Sequence, residues 1–341
     1  MELSQFNYDL PEKSIALYPP KKRGATKLLA LNKNTGKIND SRYECLGDFL
    51  RPGDVLVLNN TSVLPARLKT NTEGGAEREL LLLEKHGQSS EHHSSLVMYR
   101  RKIKRGQILL VGDTELVVDE VFENGTAKVH SEVDLWDLAE QKGSVPLPPY
   151  MHRNEEPGDR ERYQTVFAKE KGSIAAPTAS LNLTTGILQS LRDKGVEIVE
   201  LTLHVGLGTF MPIRVDDVTN HKMHQEYFEI AKDAVAAIQK AKKEGRRVVA
   251  GGTTVTRTLE FCADKIMQTP GDLCGEADIF IYPGYTFKIV DALLTNFHAP
   301  HSTVLMMAAA FAGWENLKHA YEHALENDYK FLSYGDSMLI C

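Results

Sequence analysis

The chain has 341 residues, 42% hydrophobic and 25% charged, a balance that excludes a disordered tail and suits two ordinary domains or one large one. A formal net charge of −6 excludes a uniformly basic nucleic-acid binder, though a local basic patch needs no basic average. Four cysteines, Cys45, Cys262, Cys274 and Cys341, form no C-x-x-C pair and match neither a zinc nor a disulfide framework.

Met1–Ser14 carries no apolar core of the secretory-signal kind, and no run approaches the roughly 18 apolar residues that span a bilayer. A soluble, cytoplasmic, monomeric protein is expected. Arg51-Pro52-Gly53-Asp54 reads as a turn, and Val55–Leu58 after it as a short buried strand. From Arg67 to Val145 the texture changes to short β-rich pieces, Glu79–Leu83, Gln107–Val111, Glu115–Val121 and Ala127–His130, set between Gly, Asn and Asp turns. That spacing predicts a small antiparallel barrel or sandwich. Val145–Tyr150, with three prolines, closes it as a stiff extended segment. Beyond it, strands at Val196–Val205, Arg247–Gly251 and Ala277–Tyr282 alternate with helices at Ala231–Glu244, Thr256–Lys265 and Thr303–Ala312. The predicted fold is therefore an α/β main domain, a mixed sheet with flanking helices, formed by residues 1–66 and 146–341. A small β-barrel domain over 67–145 is inserted into it.

Several strings carry candidate chemistry. Leu203-His204-Val205-Gly206-Leu207-Gly208-Thr209-Phe210 follows a strand, but Met211 stands where a dinucleotide fingerprint needs its third glycine. It reads as a strand end where backbone approaches a ligand beside His204, or as a tight turn with a core histidine. His221-Lys222-Met223-His224-Gln225-Glu226 offers two imidazoles and a carboxylate, suited to proton transfer, to metal binding or to a plain polar loop. Val248–Glu260 runs from a buried strand through Gly251-Gly252-Thr253-Thr254 into a helix, whose N-terminus favours an anion. N-capping by Thr254 or Thr256 is the alternative there. Ala175–Asn182 is a small-residue loop, and Phe280–Tyr285 and Thr295–Pro300 are aromatic-rich loops suited either to stacking on a flat ring or to core filling. Arg100-Arg101-Lys102-Ile103-Lys104-Arg105 can neutralise phosphates, or protect a solvated strand edge.

Taken in order along the chain, Tyr8–Glu12, Leu50–Asp54, Pro65–Leu68, Pro146–Tyr150, Arg162–Ala168, Ala175–Ala179, Thr202–Phe210, His221–Glu226, Gly252–Thr254, Pro283–Tyr285, Thr295–His298 and Ser333–Ile340 resemble one family. It is the S-adenosylmethionine:tRNA ribosyltransferase-isomerase family of queuosine biosynthesis. The resemblance implies an α/β domain with a β-barrel domain, S-adenosylmethionine as co-substrate and no metal. The implied partner is tRNA carrying 7-aminomethyl-7-deazaguanine at the wobble position. It implies transfer and isomerisation of the ribosyl unit onto that base, giving epoxyqueuosine with loss of adenine and methionine.

Within that reaction His204, His221, His224 and His298 are the expected acid–base groups. Expected substrate contacts are Arg67, Thr178, Asn182, Gly206, Gly208, Thr209, Glu226, Thr253, Thr254, Arg257, Tyr282, Tyr285 and Asn296. Arg257 with Thr253 and Thr254 is expected to hold the methionine carboxylate, and Tyr282 and Tyr285 to stack on a base. Arg100, Arg101, Lys102, Lys104 and Arg105 are the expected RNA contacts. Two places depart from the family pattern: Ser180-Leu181-Asn182-Leu183 stands where Gly-Leu-His-Phe is usual, and Asn60 and Ser62 stand where Asp and Arg are frequent. These departures motivate an alternative, a paralogue that binds S-adenosylmethionine or tRNA with little or altered turnover. A metal-dependent hydrolase centred on His221, His224 and Glu226 is a third reading.

Overall fold

Val55–Asn59, a mainly apolar run between the Pro52–Gly53 turn and Asn60, becomes a fully buried strand. The computed structural model describes residues 1–83, 93–206, 215 and 217–341. In chain order the first four strands are β1 (Lys27–Leu31), β2 (Ile38–Arg42), β3 (Val55–Asn59) and β4 (Thr61–Val63). Next come β5 (Arg67–Thr72), β6 (Glu77–Leu82), β7 (Ser94–Arg100), β8 (Ile108–Val111), β9 (Thr114–Val121), β10 (Thr126–His130) and helix α1 (Leu135–Lys142). The chain continues with α2 (Asp159–Arg162), β11 (Glu170–Ser173), α3 (Thr185–Asp193), β12 (Glu197–Leu203), β13 (Glu226–Ile230), α4 (Lys232–Lys243) and β14 (Val248–Gly251). The last elements are α5 (Thr253–Phe261), α6 (Ala263–Gln268), β15 (Leu273–Ala277), β16 (Ala292–Asn296), α7 (Thr303–Ala312), α8 (Trp314–Glu326) and β17 (Ser337–Ile340).

Nine strands form a mixed sheet in the order β15-β13-β12-β3-β14-β16-β17-β1-β2. β12, β3, β14 and β16 are parallel, and strands flanked by parallel neighbours are covered on both faces. That is why β3 is apolar without alternation and buried at all five positions. Val55 and Val57 pack with α4, α5, α7 and α8 on one face, where Val235, Ile238, Val255, Leu259, Leu305 and Leu317 lie. Leu56 and Leu58 pack on the other with Leu188 and Leu191 of α3. The chain leaves β3, crosses through α3 to β12 on one side, and returns through α4 to β14 on the other. Helices therefore lie on opposite faces, and the strand order diverges at β3. A crevice opens beyond the carboxyl ends of the strands at such a point.

The second sheet is a closed barrel in the order β10-β7-β6-β5-β8-β9. Its inward residues, among them Leu68, Leu80, Leu82, Val97, Leu109, Leu116, Val118 and Val129, make a core of their own, covered by Leu135, Trp136 and Leu138 of α1. An Arg67–Ser144 bridge brings entry and exit together. Gly143 permits this, because a Cβ there would meet the Pro65 carbonyl oxygen at 1.9 Å.

Three predicted elements need correction. The strand expected at Ala277–Tyr282 is β15, which ends at Ala277 where that expectation begins. Ile281 is buried and Phe280 and Tyr282 pack against the core, but in irregular backbone ahead of the Pro283–Gly284 turn. The helix expected at Thr256–Lys265 begins at Thr253 and breaks at Cys262. Gly252, at φ 121°, turns the strand straight into the helix. The basic run is no strand edge either: β7 ends at Arg100, and the following residues form a loop that begins with Arg101 at φ 68°.

Candidate active site

A cavity of about 550 Å³ opens at the carboxyl ends of the parallel strands. One wall is the Ala175–Ala179 loop, another Gly252–Thr254 and Arg257 of α5, and a third Thr295, Asn296 and residues 298–304 beyond β16. Tyr150, Tyr163 and Ser333 line it too, as do Met223, Glu226 and Ile279–Ile281. Gly251 lets β14 press against β3, since a Cβ would lie 2.6 Å from Leu58 Cδ2. Gly252 supplies no side-chain cap to α5, and Thr256 Oγ1 donates back to the Gly252 carbonyl at 3.0 Å. The threonines therefore do not cap this helix, and its first amides remain for a ligand.

Glu226 and Arg257 form a buried ion pair in the cavity wall, at 4% and 8% exposure. Burial raises the Glu226 carboxyl pKa, opposed by Arg257 and by the Gly206 backbone N–H. Arg257 Nε is buried with no partner, so the guanidinium retains a donor beyond the ion pair. His298 lines the cavity with Nε2 2.8 Å from Thr295 Oγ1. Tyr8 donates to the His298 carbonyl, and the His298 amide donates to Tyr321 Oη at 3.0 Å. Enclosure by protein pushes its imidazole down to about 3, so the ring is neutral at physiological pH. Tyr150 Oη accepts the Ser333 amide at 2.9 Å, and burial pushes its hydroxyl up to about 12, leaving a phenol that can still donate its proton.

The structure separates the expected site residues. Thr178, Glu226, Thr253, Thr254, Arg257, Asn296 and His298 meet at the cavity. His204 does not line it: its Nδ1 is 2.8 Å from Thr61 Oγ1 and its ring stacks on Tyr227. His221 packs edge-on against Phe280, which does line it, and burial followed by the neighbouring His224 lowers its pKa. His224 is half-buried outside the lining. Gly206 contributes through its amide to Glu226 rather than directly. Arg67 donates to the Leu147 carbonyl at 2.8 Å at the base of the barrel. Tyr282 packs on Phe280, and Tyr285 donates to Glu260 at 3.1 Å, so neither reaches the cavity to stack on a base. Gly208 and Thr209 lie outside the described residues.

Asn182 is also displaced from its expected role. It is 3% exposed and donates to the Gly335 carbonyl at 3.2 Å, so it ties the loop to the C-terminal segment instead of facing the cavity. Asn60 is likewise engaged, accepting from Thr202 at 2.7 Å and donating to Glu200 at 3.3 Å. Among the described residues no group of three His, Cys, Asp or Glu side chains is arranged to hold a metal. Glu226, which the hydrolase reading needs as a ligand, is committed to Arg257.

Sequence reasoning missed Tyr150, Tyr163, Met223, His301 and Ser333 as lining residues, while Phe280 lines the cavity as the stacking reading of its loop expected. The Pro-Pro-Tyr string was a visible signal for Tyr150, but it reads first as a stiff connector.

A family model described as "Queuosine biosynthesis protein" matches residues 3–340. The chain belongs to this family. It is 54% identical over the full length of both chains to an S-adenosylmethionine:tRNA ribosyltransferase-isomerase of Pelodictyon phaeoclathratiforme. It is 45% identical, again over both full lengths, to one of Geotalea uraniireducens. The crystal structure of the S-adenosylmethionine tRNA ribosyltransferase of Thermotoga maritima matches 99% of this chain and 100% of its own, at 33% identity and a TM-score of 0.57. The large mixed sheet and the closed barrel are thus a family architecture.

Proposed function

We propose that the chain transfers and isomerises the ribosyl unit of S-adenosylmethionine onto 7-aminomethyl-7-deazaguanine at the tRNA wobble position, releasing adenine and methionine. The observation that carries this reading is full-length membership of a family whose similar members bear this enzyme name, joined to a cavity at the strand ends. A sulfonium acidifies the adjacent C–H bond, so the reaction can begin at a positioned base, and departure of adenine needs a proton at a ring nitrogen. His298, neutral and held through Nε2, and Glu226, with its raised pKa, are proton-handling groups that face the cavity. The uncapped α5 N-terminus and Arg257 suit the methionine carboxylate. Tyr150, Tyr163 and Phe280 supply aromatic surface for a base.

The barrel, taken here as an inserted unit over residues 67–145, carries the proposed RNA contacts Arg100, Arg101, Lys102, Lys104 and Arg105, all exposed. They sit at the end of the barrel away from Arg67, because β5 and β7 both run antiparallel to β6 and so end on the same side. The reading of a binder without turnover rested on Asn60, Ser62 and Asn182, and no observation at the cavity favours it. The test is release of adenine and methionine in equal amounts from S-adenosylmethionine, dependent on tRNA carrying the aminomethyl base. Absence of both products with folded protein would remove the reading.

A further inference from the structure

Asn296 ends β16 and lines the cavity, is 2% exposed, and neither its Oδ1 nor its Nδ2 has a hydrogen-bond partner. Its neighbours do not relieve it. The Thr295 hydroxyl is engaged with His298, and Ser337, its cross-strand partner, has an unbonded hydroxyl of its own. A buried carboxamide with nothing bonded is costly, which makes it a residue shaped for something that arrives. The carboxamide presents one acceptor and two donors in one plane. That set pairs with the edge of a planar nitrogen heterocycle bearing an N–H beside a lone pair, the way asparagine reads adenine. With neither atom anchored by protein, the amide can turn to meet an amino or an oxo edge.

We propose that Asn296 is the base-reading subsite of this cavity, hydrogen-bonding in plane to the donor–acceptor edge of a purine-type ring. This rests on the reaction proposed above, which brings two such rings: the adenine of S-adenosylmethionine and the deazaguanine of tRNA. The same edge chemistry serves both, and binding measurements separate them. Full-length wild type, Asn296→Leu and Asn296→Ser are titrated calorimetrically with S-adenosylmethionine, with its analogue lacking the 6-amino group, and with tRNA carrying the aminomethyl base.

Loss of the paired edge should weaken the ligand concerned by roughly 10- to 100-fold. In Asn296→Leu the ligand-free melting temperature should hold or rise, because an unpartnered amide has been replaced by an apolar group of similar size. Weakened S-adenosylmethionine binding, with sensitivity to the 6-amino group lost in the variant, assigns the adenine. Weakening confined to tRNA assigns the deazaguanine. Unchanged affinity for both ligands overturns the proposal, as does a lowered melting temperature with all affinities falling together, the mark of a structural or water-filled role. Asn296→Ser gives the same readouts should the leucine variant fail to fold. Wild-type turnover is followed alongside: no turnover with an intact Asn296 effect on binding sinks the reaction and spares the subsite.

Discussion

At the residue scale the buried Glu226–Arg257 pair dominates the cavity wall. Removing one partner leaves the other charged and dry, which typically costs about 3–5 kcal/mol, whereas removing both can be nearly neutral. Arg257→Met should therefore destabilise more than the double variant Glu226→Leu/Arg257→Met, as read by chemical denaturation. A double variant at least as unstable as the single one would mean that the pair carries no such penalty. His298 has a pH signature of fixed sign. Its folded pKa of about 3 lies below the ordinary 6.5, so the unfolded chain binds its proton first as pH falls. Its contribution is neutral above 6.5 and becomes destabilising below, at most about 1.4 kcal/mol per pH unit. The stability of wild type relative to His298→Gln should fall between pH 6.5 and 5, and a difference that does not vary with pH would contradict the assigned environment. Asn182→His should change turnover by little, since position 182 faces Gly335 and not the cavity. A gain near the ~10²–10⁴ that an acid–base group contributes would place a missing catalytic histidine there.

At the element scale, the strands with two-sided burial were legible. Val55–Leu58 has no helical period and sits between turn residues, and the structure makes it an interior strand of the nine-stranded sheet, buried at every position. The barrel was legible from turn spacing. Ala277–Tyr282 was misread because Phe280 and Ile281 are apolar for lining the cavity and Tyr282 for packing on the core, and β-propensity cannot distinguish that from a ladder. The site was half legible. Its strand-end loops show in the sequence, a glycine and hydroxyl string giving Thr253, Thr254 and Arg257 and an aromatic-rich string giving Asn296 and His298. Tyr150, Tyr163 and Ser333 arrive from segments far apart in sequence, and no local period says that they meet. His204 misled because a strand-end histidine beside glycines looks the same whether it faces a ligand or bonds Thr61.

The loop after β7 holds Arg101, Lys102, Lys104 and Arg105 exposed while Ile103 anchors it in the barrel core. Neutralising the four cations together with Arg100 should weaken tRNA binding. It should also flatten the slope of log affinity against log salt, by up to about 0.9 for each phosphate that the loop no longer neutralises. An unchanged slope would take this end of the barrel out of the interface.

On the scale of the whole molecule, the proposed reaction site and the proposed RNA contacts lie on different parts of the fold, the cavity at the strand ends of the large sheet and the basic loop on the barrel. The cavity is lined largely by apolar and aromatic side chains, and its charged groups include the buried Glu226–Arg257 ion pair. The barrel loop supplies local positive charge on a chain of net −6. Among the described residues no helix is long and apolar enough to cross a membrane. The most direct test of the account is mass spectrometry of nucleosides from tRNA bearing 7-aminomethyl-7-deazaguanine, after incubation with the protein and S-adenosylmethionine. The account predicts conversion of that nucleoside to epoxyqueuosine, abolished when S-adenosylmethionine is omitted. Unconverted nucleoside, with folded protein and both substrates bound, would contradict it.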